Sequence, residues 1–415
     1  MRTLIDLFAG CGGLSLGLEQ VGFTPIYVNE LHPDAMQTYL TNRSKLPVAK
    51  SGNQSNDITK ITRNKRVLNE ISTRLRDTYG DIDLVAGGPP CQGFSGIGHR
   101  RSFDVTKKEM PNNHLYRDMA KFISEIGPKV FVFENVRGLL NSRWTPEGTK
   151  GEIWTDVLKS FRNIEFKKAK GKFSYEIYWE LVYAKDFGVP QNRPRIIMMG
   201  MRNDINRFSH DELKNLFLKH RFRVNSPHPI DLMGDLVDDN WIAGGSTLVY
   251  PNASQNEIQE ILRYNPVTKE ISRKGDLITE HDYANHSAEV MKKFKYMIDH
   301  DGEIPVKMQT KKFAQRLIPK YWSEKGPFIT ATSLPDDYVH FSQPRVLSVR
   351  EWARLQTFPD WYQFQGKRTT GGRRRAGDPS LGVWTRDLPK YTQIGNAVPV
   401  NLAAEIGRIV LEVLK

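Results

Sequence analysis

Short apolar segments alternate with amphipathic ones through the first half of the chain. Runs rich in β-branched and aromatic residues end in turn residues and have the character of strands: TLIDLF, PIYVNE, DLVAGG, VFVFEN, WELVYA and RIIMMGM. Between them, LSLGLEQVG, PDAMQTYLTN, LNEISTRLRDTYG and LYRDMAKFISEIG have helical periodicity. The alternation predicts an α/β fold with a doubly wound, mostly parallel sheet over about residues 1–200, in which ligands bind at the carboxyl ends of the strands.

This alternation stops after Met201. Residues 202–340 are polar and irregular, which predicts a second, smaller domain whose fold cannot be read from the pattern. Regular spacing returns in LSVREWARLQTFP, a helix stopped by Pro359, and in QIGNAVPVNLAAEIGRIVLEVL, a turn followed by an amphipathic helix. We therefore predict one domain from residues 1–200 and 390–415, and a small domain from residues 201–389 that includes a bracing helix at 348–358.

Composition and charge narrow the class of protein. The formal charge of +13 favours an anionic partner, and nucleic acid is the usual one. The two cysteines cannot form a disulfide framework, no Cys/His cluster has zinc spacing, and no apolar run approaches the roughly 18 residues of a membrane span. These features predict a protein of a reducing compartment without a metal site. The segment GKRTTGGRRRAGDPS (366–380) is rich in glycine and arginine, which is typical of an exposed basic loop.

A glycine-rich turn follows the first strand, in DLFAGCGGLSLGLE. Its glycines allow backbone N–H groups to approach a ligand closely. Glu30 ends the next strand about 20 residues further on, where carboxylates hold ribose hydroxyls in nucleotide sites. Positions 10, 12 and 15 are Gly, Gly and Ser, so the G-x-G-x-x-G spacing is not met, which weighs against NAD and leaves other adenosyl ligands open. On these residues alone, a tight turn without a ligand remains the alternative.

The stretch GGPPCQGFS places Cys91 at the end of the strand DLVAGG. Two prolines stiffen the turn, and glycines on both sides leave room for a substrate. A reactive thiol must be partly exposed and its thiolate stabilised, and His99, Arg100 and Arg101 follow closely enough to supply positive charge. The same residues are compatible with a structural cysteine, so the alternatives stay open at this point.

Two further strand ends carry polar residues. Glu134 and Asn135 follow the very apolar strand VFVF, where a carboxylate could act as a proton donor or simply form a capping or turn pair. In QNRPR, Arg193 and Arg195 lie two residues apart, hence on one face of an extended segment, and could grip a carbonyl or a phosphate. In α/β sheets, the carboxyl ends of neighbouring strands lie around one crevice. We therefore expect the glycine turn, the cysteine thiol, the glutamate carboxylate and the two arginines to share one site.

Taken in order, these segments resemble the motifs of the DNA cytosine-5 methyltransferase family: DLFAGCGG, GGPPCQGFS, FENVRG, QNRPR, RLQTFP and QIGNAVP. They occur in the family order over nearly the full chain. The resemblance implies an S-adenosylmethionine-binding catalytic domain completed by the C-terminal segment, and a small target-recognition domain. It also implies a cytoplasmic modification enzyme of bacterial or phage type that acts as a monomer on double-stranded DNA, beside a separate restriction endonuclease.

The implied reaction explains the residue types. Addition of a thiolate to C6 of cytosine makes C5 nucleophilic, and the resemblance gives Cys91 this role. Glu134 would then bond N3 and the exocyclic amine and Arg195 would hold O2, with Arg193 supporting the site and Asn135 completing the catalytic set. The base must leave the duplex, and residues 95–113 resemble the mobile loop of the family. The residues expected to contact DNA are Gln92, Ser95, Arg100, Arg101 and Arg345, and the resemblance also implies that Arg345 and Glu351 brace the recognition domain.

The resemblance also implies a pocket for S-adenosylmethionine. Glu30 would bind the ribose hydroxyls, while Asp57 and Ile58 would face the adenine. Leu31 stands where relatives often carry an aromatic residue, which predicts weaker stacking. The full set of expected cofactor-binding residues is Phe8, Gly10, Cys11, Gly12, Gly13, Glu30, Leu31, Asp57, Ile58, Pro90, Leu115, Asn396 and Val398.

Other functions fit the sequence less well. A methyltransferase acting on amino groups needs no thiol, so GPPC argues against it. A tRNA cytosine-5 methyltransferase shares the motif set, and only the long segment 202–340 favours a reader of duplex DNA. A catalytically silent DNA-binding homologue would have no need of Cys91, Glu134 and Arg195. A dehydrogenase would require the dinucleotide spacing that the glycine turn lacks.

Overall fold

The computed structural model describes residues 1–90, 111–168, 171–205, 208–309, 314–331, 335–370 and 387–415. The strands are β1 (Arg2–Leu7), β2 (Phe23–Asn29), β3 (Gln54–Ser55), β4 (Leu84–Gly87), β5 (Val130–Val136), β6 (Glu165–Lys168), β7 (Gly171–Tyr183), β8 (Pro194–Arg202), β9 (Tyr264–Asn265), β10 (Glu270–Ile271), β11 (Arg316–Leu317) and β12 (Tyr338–Val339). The helices are α1 (Gly13–Gln20), α2 (Pro33–Thr41), α3 (Ile58–Thr62), α4 (Lys65–Tyr79), α5 (Leu115–Ile126), α6 (Glu152–Arg162), α7 (His210–His220), α8 (Pro229–Met233), α9 (Glu257–Arg263), α10 (Ala288–Asp299), α11 (Val349–Leu355), α12 (Lys390–Asn396) and α13 (Val400–Val413).

The main sheet has eight strands in the order β3-β2-β1-β4-β5-β8-β7-β6. Strands β1 to β5 are parallel to one another, whereas β8, β7 and β6 are antiparallel to their neighbours. Strands β7 and β8 are antiparallel because residues 184–193 join them without the crossover helix that a parallel pair needs. This architecture confirms the predicted α/β fold with a mostly parallel sheet.

The strand order reverses between β1 and β4. The chain runs from β1 outward to β2 and β3, then returns to place β4 on the other side of β1. Ligands of doubly wound sheets bind outside the carboxyl ends of the strands at this position. The glycine turn after β1 and the Pro-Pro turn after β4 therefore adjoin, and Leu7 is paired with Gly87 at the ends of the two strands.

Helices cover both faces of the sheet, and alternate residues of each strand enter different cores. In β5, Phe131 and Phe133 pack with α4, α5 and α6, whereas Val130 and Val132 pack with α1, α7 and α13. Residues of α7 belong to this second core, so packing against the sheet continues beyond residue 201, where the apolar alternation of the sequence ends.

Residues beyond α7 form short elements around buried ion pairs. Asp235 accepts hydrogen bonds from Arg263 and Arg354, and Arg354 also binds Asp360. Helix α11 is buried along its whole length. Its apolar residues share a core with Cys11 of the glycine turn, so this part of the chain packs directly against the edge of the sheet that carries the candidate site.

One segment of the described chain, Lys390–Val413, is long and apolar enough to cross a membrane. Within its most apolar window, 78% is buried inside the fold, where α13 packs against α1. Packing in the protein core therefore accounts for its hydropathy.

Candidate active site

The Pro-Pro turn after β4 is held by the neighbouring strand β5. The side chain of Asn135 is buried, and its Nδ2 donates a hydrogen bond to the carbonyl of Pro89 at 3.0 Å. Its Oδ1 accepts the N–H of Val136 at 2.9 Å, which fixes the orientation of the amide. Asn135 therefore contacts the backbone that leads into Cys91 and is placed to position that turn.

Glu134 and Arg195 form an ion pair beside this turn. Arg195 Nε lies 2.7 Å from Glu134 Oε1, and only about a tenth of each side chain is exposed. Strand β8 runs antiparallel to β5, so Arg195 at its beginning is paired with Val136 at the end of β5. Burial lowers the pKa of Arg195, and the neighbouring Glu134 carboxylate opposes that effect. The antiparallel course of β8 thus brings the carboxylate and the guanidinium together.

Gly88 makes the approach of this pair to the turn possible. A Cβ atom on Gly88 would lie 2.9 Å from Glu134 Oε2, which is closer than real Cβ contacts. The carboxylate therefore occupies the space that any larger residue at position 88 would fill. The sequence predicted that glycines of this turn leave room for a substrate. At Gly88, the group that approaches in the structure is the side chain of Glu134.

Arg193 lies behind the site. Its side chain is buried, and its guanidinium donates to the carbonyls of Ala331 at 2.8 Å, Gly395 at 2.8 Å and Ala397 at 3.1 Å. Burial, with a smaller effect of nearby Arg195, lowers its pKa well below the ordinary value. Arg193 and Asn135 thus both donate to protein backbone. We propose a positioning role for Asn135 as well as for Arg193, which the resemblance already placed in support of the site.

Gln191, which the sequence did not single out, completes this support. Its Nε2 donates to the carbonyl of Leu355 at 2.5 Å, and its Oε1 accepts the N–H of Ala331 at 2.6 Å. Gln356 in turn donates to the carbonyl of Ile394 at 2.8 Å. In the sequence, the two glutamines are visible only as members of the motifs QNRPR and RLQTFP. The contact between them, in which Gln191 Nε2 donates to Gln356 Oε1 at 3.0 Å, depends on tertiary packing.

The glycine turn after β1 is open on one side and crowded on the other. Phe8 and Gly10 have φ of 58° and 56°, in the left-handed region, and a Cβ on Gly10 would meet no atom of the described residues within 4 Å. A Cβ on Gly12 would approach Arg43, Tyr39 and Tyr362 at 2.8 Å, and one on Gly13 would collide with the carbonyl of Val398. The turn therefore rests on packed protein and presents the side at Gly10 to a ligand.

Glu30 is tied to this turn. One carboxylate oxygen accepts the N–H of Gly10 at 2.8 Å and the other accepts the N–H of His32 at 2.7 Å. Burial raises the pKa of Glu30, and these two backbone donors partly offset the rise. The side chain of Leu31 next to it is 63% exposed, so an apolar surface adjoins the carboxylate.

The remaining expected cofactor residues differ in burial and in local role. Asp57 caps α3 by accepting the N–H of Thr59 at 2.9 Å, and Ile58 is buried in a core against which Leu115 packs. Val398 is nearly buried and Asn396 is exposed. Pro90 is exposed at the end of the Pro-Pro turn. An adenosyl ligand fits this donor set, since the crevice offers a carboxylate, an exposed apolar side chain and an open glycine.

Cys11 lies within the turn, but its side chain points away from the open side. The thiol is buried and its Sγ donates to the carbonyl of Gln393 at 3.3 Å. Burial raises the pKa of this thiol to about 12, so it does not form a thiolate near neutral pH. The side chain of Cys11 is therefore part of the protein core and not a nucleophile.

The expected DNA contact of Arg345 is wrong. Its side chain is fully buried and donates to both carboxylate oxygens of Glu351 at 2.7 Å. It also donates twice to Gln343 Oε1. A guanidinium whose donors are engaged in the core cannot reach phosphate, so Arg345 braces the N-terminus of α11.

Several expected site residues lie outside the described residues: Cys91, Gln92, Ser95, Arg100 and Arg101. Most of the predicted basic loop also lies there, since residues 371–386 are not described. The structure describes the Pro-Pro turn as far as Pro90, the residue directly before Cys91.

Three comparisons with known proteins bear on this site. Residues 2–412 match the family model described as C-5 cytosine-specific DNA methylase. The chain is 30% identical over 411 residues to Type II methyltransferase M.DdeI of Desulfomicrobium norvegicum, covering 97% of this chain and 86% of that protein. It is 27% identical over 419 residues to Type II methyltransferase M1.HphI of Haemophilus parahaemolyticus, covering 99% of this chain and 87% of that protein.

A solved structure has the same fold. A DNA modification methyltransferase encoded within an Escherichia coli prophage superposes with a TM-score of 0.68 at 21% sequence identity. The alignment covers 100% of this chain and 99% of that one, so the similarity includes the part of the chain beyond the sheet as well as the sheet itself.

Proposed function

Because the chain belongs to the C-5 cytosine-specific DNA methylase family, we propose that it methylates C5 of a flipped-out cytosine in a specific duplex sequence through a covalent bond between Cys91 and C6. It is a DNA (cytosine-5-)-methyltransferase, of the kind found in restriction-modification systems. The contact that most directly supports the proposed chemistry is the Glu134–Arg195 ion pair, which lies against the turn that leads into Cys91.

The proposed reaction begins with the thiolate of Cys91. As the S–C6 bond forms, the π electrons of C5=C6 move toward C5, N3 and O2 of the ring. Glu134 would hydrogen-bond N3 and the exocyclic amine, and N–H groups of Arg195 would stabilise the charge at O2. C5 then carries enough electron density to accept a methyl group, and removal of its proton re-forms C5=C6 as the thiolate leaves.

The methyl group would come from S-adenosylmethionine, which supplies an electrophilic methyl on a sulfonium. The open side of Gly10, the carboxylate of Glu30 and the exposed side chain of Leu31 would receive it. Asp57, Ile58 and Leu115 would border the adenine, and Asn396 and Val398 would close the pocket. These assignments rest on the fit between the crevice and the chemistry of the ligand.

The cytosine must leave the helix, because neither face of C6 is accessible to a protein thiol within stacked DNA. We assign duplex recognition to the small domain and expect the protein to act on DNA as a monomer in the cytoplasm. The bacterial relatives named above are Type II methyltransferases, which supports a role as the modification enzyme beside a separate restriction endonuclease.

A covalent trap tests the mechanism. Duplex DNA with 5-fluorocytosine at the target cannot lose a proton from C5 after methylation, so the Cys91 adduct should persist and survive denaturing electrophoresis. Bisulfite mapping of DNA from cells that express the protein would first locate the target.

The two cysteines allow a matched control, since the chain contains no others. Cys91→Ser should abolish both the adduct and methylation, whereas Cys11→Ala should form the adduct like the wild type. Methylation by Cys91→Ser at the wild-type level would refute the covalent mechanism. Methylation of tRNA instead of DNA by the wild-type protein would refute the proposed substrate.

A further inference from the structure

A buried side-chain cluster lies behind the glycine turn, on the side away from the open face at Gly10. Arg43, two residues after the end of α2, donates through Nε to Glu19 Oε1 at 2.7 Å and through Nη2 to the carbonyl of Gly12 at 3.1 Å. Its Nη1 donates to Tyr362 OH at 2.9 Å, and Tyr362 OH donates to the carbonyl of Cys11 at 2.5 Å. Two consecutive carbonyls of the turn are thus held from behind.

This arrangement fixes the peptide planes of the turn. In a trans peptide the C=O and the following N–H point in opposite directions, so holding the carbonyl of Gly12 orients the N–H of Gly13 away from Arg43. Gly13 begins α1, where the first N–H groups have no partner within the helix. At the preceding peptide, holding the carbonyl of Cys11 directs the N–H of Gly12 to the carbonyl of Ala9, which accepts it at 2.9 Å, so the cluster and this hydrogen bond together fix the path of the turn.

The cluster is built to be rigid. The side chains of Arg43 and Tyr362 are both buried, and the guanidinium lies 3.9 Å from the ring centroid of Tyr39. Burial alone would lower the pKa of Arg43, but the ion pair with Glu19 raises it well above the ordinary value and keeps the group charged. Tyr362 lies far along the chain, in the segment after α11, so the cluster connects the glycine turn to that segment.

We propose that Arg43 and Tyr362 are positioning residues for the methyl donor, which set its affinity by holding the carbonyls of Cys11 and Gly12 from behind the turn. The proposal rests on the proposed function, because it assigns S-adenosylmethionine to the open side of that turn. It adds two residues that neither contact the ligand nor lie in the recognised motifs.

Tyr362→Phe tests the proposal, because it removes only the hydroxyl. The matched control is Tyr175→Phe. Tyr175 is also buried, and its hydroxyl donates to the carbonyl of Pro128 at 2.7 Å. Pro128 lies just before β5, at the amino ends of the parallel strands, whereas the glycine turn lies at their carboxyl ends. Each variant loses one buried hydrogen bond to a carbonyl, and Tyr362→Phe also loses the one that its hydroxyl accepts from Arg43, so its loss of thermal stability should be at least as large as that of Tyr175→Phe.

Calorimetry with S-adenosylhomocysteine should show about fivefold weaker binding for Tyr362→Phe and wild-type affinity for Tyr175→Phe, as expected for loss of one hydrogen bond that orients the site. The KM for S-adenosylmethionine should rise by the same factor, while kcat and the KM for DNA stay at the wild-type value.

Equal affinity in the two variants and the wild type would overturn the proposed positioning role alone. A wild-type protein that binds neither S-adenosylmethionine nor S-adenosylhomocysteine would overturn the proposed function together with this inference. As a second variant, Arg43→Lys keeps the charge but not the fork that reaches Glu19, Gly12 and Tyr362 at once, so its affinity should also fall. Wild-type affinity in Arg43→Lys would contradict the role of the guanidinium.

Discussion

Substitution of Gly88 by alanine should separate catalysis from stability at this site. The new Cβ would stand 2.9 Å from Glu134 Oε2 and 3.4 Å from the Glu134 carbonyl, and among the described residues no other atom outside the adjoining ones lies within 4 Å. The carboxylate oxygen must therefore retreat by about 0.5 Å to reach ordinary van der Waals separation. Because the atom that moves is the end of a side chain, the backbone of β5 can stay in place.

The same shift should be costly for the reaction. Retreat of Oε2 rotates the carboxylate and moves Oε1 from its position 2.7 Å from Arg195 Nε. A misplacement of about 1 Å can cost about 100-fold in rate, so a shift of half that size should cost about tenfold, or about 1.4 kcal/mol of activation free energy. We expect the melting temperature of Gly88→Ala to remain close to that of the wild type.

The assay is single-turnover transfer of a labelled methyl group to target DNA, with both substrates saturating, beside thermal unfolding. Gly87→Ala is the matched control, because its Cβ would lie 2.6 Å from the backbone carbonyl of Leu7 in β1. That variant should lose stability, since backbone of the sheet must move. A wild-type transfer rate in Gly88→Ala would refute the argument, and so would a fall in melting temperature as large as that of Gly87→Ala.

Three further predictions follow from named groups. Asn135→Ala removes the donor to the Pro89 carbonyl, so single-turnover methyl transfer should fall about tenfold while calorimetry shows unchanged affinity for S-adenosylhomocysteine; unchanged transfer would contradict the positioning role. Burial raises the pKa of Asp6 to about 7 from its ordinary 3.8. The folded state therefore favours the protonated carboxyl, and its stabilising contribution, fully present below the ordinary pKa, is lost as pH rises toward 7. The unfolding free energy should fall by up to about 1.4 kcal/mol per pH unit in this window, and urea unfolding of Asp6→Asn should lack that slope; parallel pH profiles would contradict the assignment. Replacing Arg373, Arg374 and Arg375 with alanine should weaken DNA binding and flatten its salt dependence, whereas an unchanged slope of log Kd against log salt would show that the loop makes no phosphate contact.

Sequence periodicity was sufficient to identify six of the eight strands of the main sheet, all except the short strands β3 and β6. The apolar run VFVF identifies β5. In the structure, Phe131 and Phe133 lie in one core, and Val130 and Val132 lie in the other. Such patterns are local, because the geometry of a strand alone decides which face each residue occupies. The motif order, which carries the family, is likewise readable without any contact between motifs.

Contacts between distant segments could not be read in this way. The direction of β8 is decided by the short connection from β7, and it is this direction that brings Arg195 beside Glu134. Arg345 has the same local character as an arginine that binds phosphate, yet it is buried on Glu351. Whether a charged side chain meets solvent, substrate or a buried partner depends on the path of the whole chain.

The sequence by itself thus determined the α/β fold, the family and the residue types on which the proposed chemistry depends. The tertiary structure decided which polar residues line the crevice and which support it from behind: Asn135 on Pro89, Arg193 on three carbonyls, and Arg43 with Tyr362 on the glycine turn. The reason is physical. Periodicity records burial within one element, whereas a buried hydrogen bond requires two elements to meet, and residues 43 and 362 meet across a separation of 319 positions.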